Sequence, residues 1–255
     1  MDFETHGFPS IFSLLAELDV AQTAFFLDFD GTLAEIVPDP ARVRIKQETL
    51  AMLERLHALA GGAVGVVSGR SIAHLDALLH PLRLPMAGVH GLERRNADGM
   101  VMRARIDAEL YRRIGEAVSA FANRHSGLIV ETKPGSVALH YRQRPDCQVE
   151  CLALAEDLAR RDPRIRLLPG KMVVEMTLAA RTKGDAIADF MKEPPFLGRR
   201  PFFAGDDVTD EAGFAAVNAM GGLSVKVGPG PTSANWRLAD IGAVARALSE
   251  LTAAQ

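Results

Sequence analysis

Four short stretches of the chain carry side chains whose types and spacing suit chemistry on a phosphate. The first is Asp28-Phe29-Asp30-Gly31-Thr32, two carboxylates at i and i+2 that follow the apolar run Ala24–Asp28. Both leave the carboxyl end of a strand, where open α/β sheets bind ligands. Burying two like charges there is costly unless a cation or a proton joins them. Gly31 allows a tight turn and a close backbone approach. The second stretch, Ser68-Gly69-Arg70-Ser71, puts a hydroxyl just before a helix start, where free N–H groups favour an anion. The third is Lys183 in Arg181-Thr182-Lys183-Gly184-Asp185. A cation opening a helix opposes the macrodipole, so it answers to something negative nearby. The fourth, Gly205-Asp206-Asp207-Val208-Thr209-Asp210-Glu211, sets four acids in six positions after Pro201–Ala204. Asp206 and Asp210 share a face if a helix begins there, and oxygen ligands of this kind suit Mg²⁺. Taken singly, these are a turn, an N-cap, a surface lysine and an acidic helix start. Taken together, they converge on one crevice for Mg²⁺ and a phosphoryl group.

The elements that must position them follow from the hydrophobic pattern. Five apolar runs, Ala24–Asp28, Ala63–Val67, Pro85–Val89, Pro201–Gly205 and Leu223–Val227, are too short for core helices and read as buried parallel strands. Helical stretches intervene at Gln47–Leu59, stopped by Gly61-Gly62, and at Ile72–Leu79, capped by Ser71. This alternation predicts an α/β fold with a doubly wound, Rossmann-like parallel sheet. The pattern changes between residues 104 and 180. There a helix (Ala108–His125), two strands (Leu128–Thr132, Ser136–Arg142), a helix (Cys147–Arg161) and two short strands (Arg164–Leu168, Met172–Leu178) predict a compact α+β insert. The core then comprises 1–103 and 181–255. The insert has twelve basic and ten acidic residues against seventeen and twenty-two elsewhere, so the core collects acid.

Composition excludes several classes. With 29 Lys+Arg, 32 Asp+Glu, a net charge of −3 and 48% hydrophobic residues, the chain reads as globular rather than disordered. It is a poor partner for nucleic acid. No apolar run approaches the roughly 18 residues of a membrane span. Met1-Asp2-Phe3-Glu4 carries acid where a signal peptide needs base. Two cysteines exclude a disulfide scaffold, and a reducing cytoplasm is expected. Cys147 and Cys151 read as plain thiols, because no further Cys or nearby His completes a metal site. Trp236 reads as a packing residue of a C-terminal helical part.

DFDGT, VVSGR, the Lys183 segment and GDDVTDE, in that order, resemble the four motifs of haloacid dehalogenase (HAD) superfamily phosphatases, over nearly the whole chain. The second aspartate of the first motif is the pattern of the superfamily's phosphatases and phosphomutases. The insert matches its α/β cap. Within the superfamily the chain is similar to the trehalose-6-phosphate phosphatases, through DFDGTLAEIVPDPARVRI with its proline-containing flap, GVHGLERR, VETKPGSVALHYR, LPGKMVVEM, RTKGDAI and ANWRLAD. It departs at Thr177-Leu178, where that family often has a basic residue and proline. The resemblance implies hydrolysis of trehalose 6-phosphate to trehalose and phosphate through an Mg²⁺-dependent aspartyl-phosphate. In that scheme Asp28 is the nucleophile, Asp30 the acid and base, and Ser68 and Lys183 hold the phosphate. Asp28, the Asp30 carbonyl and Asp206 hold the metal, with Asp207 or Asp210 completing its shell. Glu131, Lys133, Arg142, Lys171 and Glu175 match the family's sugar-contacting positions. Arg70 and His140 join them as expected substrate contacts, and His90 and Glu93 reach the rim. The expected partner is a small sugar phosphate, bound by a monomer with no membrane or nucleic acid. Rivals are a sucrose-6-phosphate or mannosyl-3-phosphoglycerate phosphatase, a phosphomutase, and a receiver-like module. The last gives no reason for Asp30 or the insert.

Overall fold

The computed structural model describes residues 18–178 and 181–253. Met1-Asp2-Phe3-Glu4 and the outermost limits of both expected units (residues 1–17, 179–180 and 254–255) lie outside the described residues. In chain order, the first elements are β1 (Thr23–Leu27), α1 (Gln47–Leu59), β2 (Val64–Val67), α2 (Ile72–Leu79), β3 (Met86–Gly88), β4 (Glu93–Arg95) and β5 (Val101–Arg103). Next come α3 (Ala108–Ala122), β6 (Ile129–Lys133), β7 (Ser136–His140), α4 (Gln148–Arg161), β8 (Arg166–Gly170) and β9 (Val173–Thr177). The chain continues with α5 (Lys183–Phe190), β10 (Arg200–Gly205), α6 (Glu211–Ala219), β11 (Leu223–Val227), β12 (Trp236–Leu238) and α7 (Ile241–Ala253).

The larger sheet has the order β12-β11-β10-β1-β2-β3-β4-β5. Every pair from β12 through β3 is parallel, and β4 and β5 return antiparallel. Strand β1 is central and buried along its whole length. Its Phe25 and Phe26 meet Phe202, Phe190 and Phe196 with ring centroids 5.1–5.8 Å apart. Truncating either to alanine costs about 3–5 kcal/mol. Register aligns Leu27 with Ala204 and with Val66, and Val67 with Ala87. Asp28, Ser68, His90 and Asp206 therefore all emerge from one edge of the sheet. Helix α1 packs on α7, and α5 on α6.

The second sheet, β6-β7-β9-β8, is antiparallel throughout. Helices α3 and α4 cover one of its faces through a separate apolar cluster that includes Ile114, Val118, Val137, Leu139, Cys151, Val174 and Met176. Helix, strand and strand order across this stretch is as expected. Helix α3, however, ends at Ala122, and His125 sits in the tight turn that follows.

Two expectations change. Trp236 lies in β12, a three-residue edge strand beside β11, not in a helix. It is half-buried against the core, and helical periodicity starts only at Ile241. The β4–β5 hairpin was not anticipated. Its turn, Asn96-Ala97-Asp98-Gly99, carries the signal, with Gly99 at φ 84°.

Candidate active site

The floor of the crevice is built at the strand ends. Asp28 directly follows β1, Asp206 directly follows β10, and the Asp206–Asp210 turn folds back beneath them. The Asp210 carboxylate accepts from the backbone N–H of Asp206 (2.9 Å) and of Asp207 (2.8 Å). Its other oxygen takes Lys183 Nζ at 2.6 Å, and the same ammonium lies 2.8 Å from Asp28 Oδ1. Thr182 and Asp185 form the capping box that starts α5 and so aims Lys183 inward. The positive group at this helix start thus answers to two carboxylates. Gly31, at φ 83°, sits where a Cβ would overlap the Asp206 carboxylate. Lys226, buried on β11, donates to the Asp206 carbonyl.

Three buried carboxylates packed together are hard to ionise at once. Burial, then repulsion from Asp210, raises Asp28 well above the usual carboxylate range despite Lys183. Burial likewise raises Asp206, against the pull of Lys171. Burial opposes the charge on Lys183, but Asp210 and Asp28 outweigh it and hold the lysine charged. Carboxylate oxygens of Asp28, Asp206 and Asp210 lie within 4.8 Å of one another. Hard oxygen donors with excess negative charge fit Mg²⁺. The turn brings Asp210 into this triad, whereas Asp207 lines the crevice and serves as a helix cap.

Asp30, beside the floor, is gripped by Arg70: Nε to Oδ2 at 2.6 Å and Nη2 to Oδ1 at 2.7 Å. Arg70 also donates to the Pro40 carbonyl (3.1 Å), and its guanidinium lies over Phe29. Ser68, buried after β2, accepts from the Arg70 backbone N–H at 3.1 Å. Arg70 therefore holds an acid and the flap.

The roof is the face of the second sheet away from its helices. Glu131, Ala138 and Glu175 are in register across β6, β7 and β9. Lys133 Nζ lies 2.9 Å from Glu175 and 3.7 Å from Glu131, and His140 Nε2 is 2.9 Å from Glu131. Ser136 Oγ donates to Glu175 at 2.5 Å. Burial would raise Glu175, yet Lys133 first and then His90 hold it well below its ordinary range. Burial opposes the charge on Lys133, and Glu175 and Glu131 raise it nonetheless.

Roof and floor meet at three points. Lys171, in the β8–β9 turn, reaches down to the Asp206 carboxylate. Arg142, in the turn after β7, donates to Val37 O on the flap and to Lys171 O, each at 2.7 Å. His90 Nε2 lies 3.6 Å from Glu175. The His90 ring occupies the space a Cβ on Gly69 would need, and its own backbone is left-handed at φ 54°.

One crevice thus gathers Asp28, Asp30, Ser68, Arg70, His90, Lys183, Asp206 and Asp207 with Glu131, Lys133, His140, Arg142, Lys171 and Glu175. Glu93 does not join them. Its carboxylate accepts from Ile72 N (3.0 Å) and Arg103 Nε (3.0 Å), tying α2 to β5. Sequence reasoning missed Lys226 and Ser136. A lysine at the penultimate position of a buried strand was the available signal for the first, and Ser136 had none.

The trehalose-phosphatase family model matches residues 26–241. The chain belongs to that family. This trehalose-phosphatase family member is 44% identical over 221 residues to the trehalose-6-phosphate phosphatase of Escherichia coli (strain K12), covering 87% of this chain and 83% of the relative. It is also 44% identical over 224 residues to a probable trehalose-phosphate phosphatase of Sinorhizobium fredii, covering 88% and 84%. Among solved structures it is similar to a trehalose-6-phosphate phosphatase related protein (27% identity, TM-score 0.76, covering 90% and 96%). The C-terminal domain of Candida albicans trehalose-6-phosphate phosphatase, at 20% identity and TM-score 0.87, covers 98% and 99% and shares the fold.

Proposed function

We propose that this family member hydrolyses trehalose 6-phosphate to trehalose and phosphate through an aspartyl-phosphate on Asp28. The observation that carries the reading is the pairing, across one crevice, of a carboxylate-and-lysine floor with a roof of balanced hydrogen-bonding groups. The floor suits a phosphoryl group and a cation, and the roof suits sugar hydroxyls. Asp28 Oδ attacks phosphorus in line, and the bond from phosphorus to the sugar oxygen breaks. Asp30 delivers the proton that the leaving oxygen needs. It then takes one from the water that hydrolyses the acyl phosphate. Carrying that proton requires Arg70 to release one of its two contacts to Asp30. Lys183 and Ser68 hold the equatorial phosphate oxygens. Asp28, Asp206 and the Asp30 carbonyl, with Asp210, would hold Mg²⁺, which when bound neutralises phosphoryl charge and orients the group. Arg70 acts on Asp30 rather than on sugar in this scheme.

The unit at 104–180 is the cap of a core at 1–103 and 181–255, supported by separate sheets and apolar clusters. It carries the sugar contacts Glu131, Lys133, His140, Arg142, Lys171 and Glu175. Monomeric action in a cytoplasmic setting is supported by a site made from one chain and by two free cysteines. Among the described residues no helix is long and apolar enough to cross a membrane. The test is phosphate release with Mg²⁺ from trehalose 6-phosphate, sucrose 6-phosphate, glucose 6-phosphate and mannosyl-3-phosphoglycerate, with Asp28→Asn as control. Preference for the first, lost in the control, is expected. Preference for another overturns the roof assignment, and activity surviving Asp28→Asn overturns the mechanism.

A further inference from the structure

His125 and Cys147 stand 22 positions apart in the chain, and the fold brings them together behind the roof. His125 lies in the turn that ends α3. Cys147 immediately precedes α4, and Glu150 is in its first turn. His125 Nδ1 is 4.0 Å from Cys147 Sγ and 3.8 Å from Glu150 Oε2. Donor atoms of all three lie within 4.8 Å of one another. We propose that His125, Cys147 and Glu150 form a second metal site, selective for a borderline-soft divalent ion such as Zn²⁺, that staples α3 to α4.

The donor set decides the class of ion. A thiolate and an imidazole suit Zn²⁺ and its neighbours, whereas Mg²⁺ takes oxygen. Bonds of about 2.0–2.3 Å at tetrahedral angles put donor atoms roughly 3.4–3.6 Å apart. The two His125 contacts therefore have about half an ångström to close, and the Glu150 side chain is 60% exposed and free to swing. Asp146 Oδ2 also lies 3.8 Å from Cys147 Sγ, outside the three-donor cluster. Arg144 grips that carboxylate at 2.7 and 2.9 Å, so its charge is already met. The His125 ring is stacked on Phe121 at 4.5 Å, which limits its rotation. The site is separate from the catalytic crevice, which none of these residues lines. A metal takes the Cys147 sulfur as its thiolate, so the thiol proton has to leave. Binding forms the sulfur–metal bond and releases that proton to solvent.

The test uses the whole protein, saturated with Mg²⁺ to fill the oxygen site, and titrated with Co²⁺. A near-ultraviolet thiolate-to-cobalt charge-transfer band is expected, saturating near one equivalent, with about one proton released per ion and with displacement by Zn²⁺. Cobalt held by oxygen alone gives no such band, so binding in the crevice cannot imitate the result. The band is expected to vanish in Cys147→Ser, and affinity to fall about tenfold or more in His125→Gln. Zinc at a hundredfold excess over its Kd is expected to raise Tm by about 5 °C in the parent and not in His125→Gln. Phosphate release with Mg²⁺ reports that each variant is folded. No band in the parent overturns the proposal, as does a band that survives Cys147→Ser and so comes from Cys151. If Cys147→Ser does not fold, unchanged affinity in both His125→Gln and Glu150→Gln overturns it.

Discussion

The floor and the roof of the crevice are built from the same kinds of group, carboxylates and ammonium ions, yet their acids are pushed in opposite directions. On the floor Asp28 and Asp210 share Lys183 with Asp206 close beside them, and burial raises Asp28 and Asp206. On the roof Glu131 and Glu175 face Lys133, with His140 and His90 at their edges, and both acids are held low. Burial acts on both regions, so the ratio of acid to base decides the outcome. An acid-rich floor gains from any further cation, and a transferred phosphoryl group needs one there. A neutralised roof has no net demand for charge. It offers fixed donors and acceptors to a neutral polyol.

Variants can break this contrast. Asp28→Asn is expected to reduce phosphate release by about 10⁴-fold or more. Its thermal stability should hold or rise, since one of three crowded carboxylates loses its charge. An assay and a melt on the same sample test both. Lys183→Met is expected to cost about 10³-fold in kcat and about 3 kcal/mol of stability, because Asp28 and Asp210 lose their shared counter-charge. Denaturant unfolding checks the second figure.

Roof variants should act on the substrate's sugar alone. Glu175→Ala and Lys133→Ala are expected to lower kcat/KM for trehalose 6-phosphate about 10²-fold, while p-nitrophenyl phosphate loses less than about fivefold. Equal losses on both substrates would remove the division between floor and roof. Metal titration sharpens the floor. Asp210→Asn is expected to raise the Mg²⁺ concentration for half-maximal activity about tenfold or more, and Asp207→Asn only slightly. The smallest effect is in pH. Glu175 has a folded-state pKa below its unfolded value of about 4.3. Its ionisation therefore stabilises the fold fully above that value and progressively less as pH falls toward the folded pKa. The Tm gap between the parent and Glu175→Gln should be constant from about pH 8 to 5 and shrink below about pH 4.3.

Much of the floor was legible because three of its residues adjoin apolar runs that already mark strand ends. Asp28, Ser68 and Asp206 needed only the rule that parallel strands present their carboxyl ends together. That Asp210, and not Asp207, sits in the carboxylate cluster was not legible. It depends on a tight turn that bends Asp210 back onto two backbone N–H groups. That the Arg70 guanidinium closes on Asp30, 40 residues earlier, was not legible either. Glu93 has the same residue type and neighbourhood as a rim acid, yet pairs with Arg103 in a hairpin whose presence no apolar run announced. A histidine partner for Cys147 could not be found along the chain, because it arrives from the far end of another helix.

By itself the sequence determined the α/β class, the five buried parallel strands of the core, the strand and helix order of the insert, the four motifs and the excess of acid in the core. Those properties reside in periods of two and 3.6 residues and in composition, which need no knowledge of distant contacts. Only the tertiary structure decided which carboxylates share Lys183, that Lys171 and Arg142 bridge roof to floor, and that His125 meets Cys147. Arg142 reaches Val37 across 105 positions of chain. Such pairings are set by how sheets and helices pack as bodies, and local preference carries no information about them.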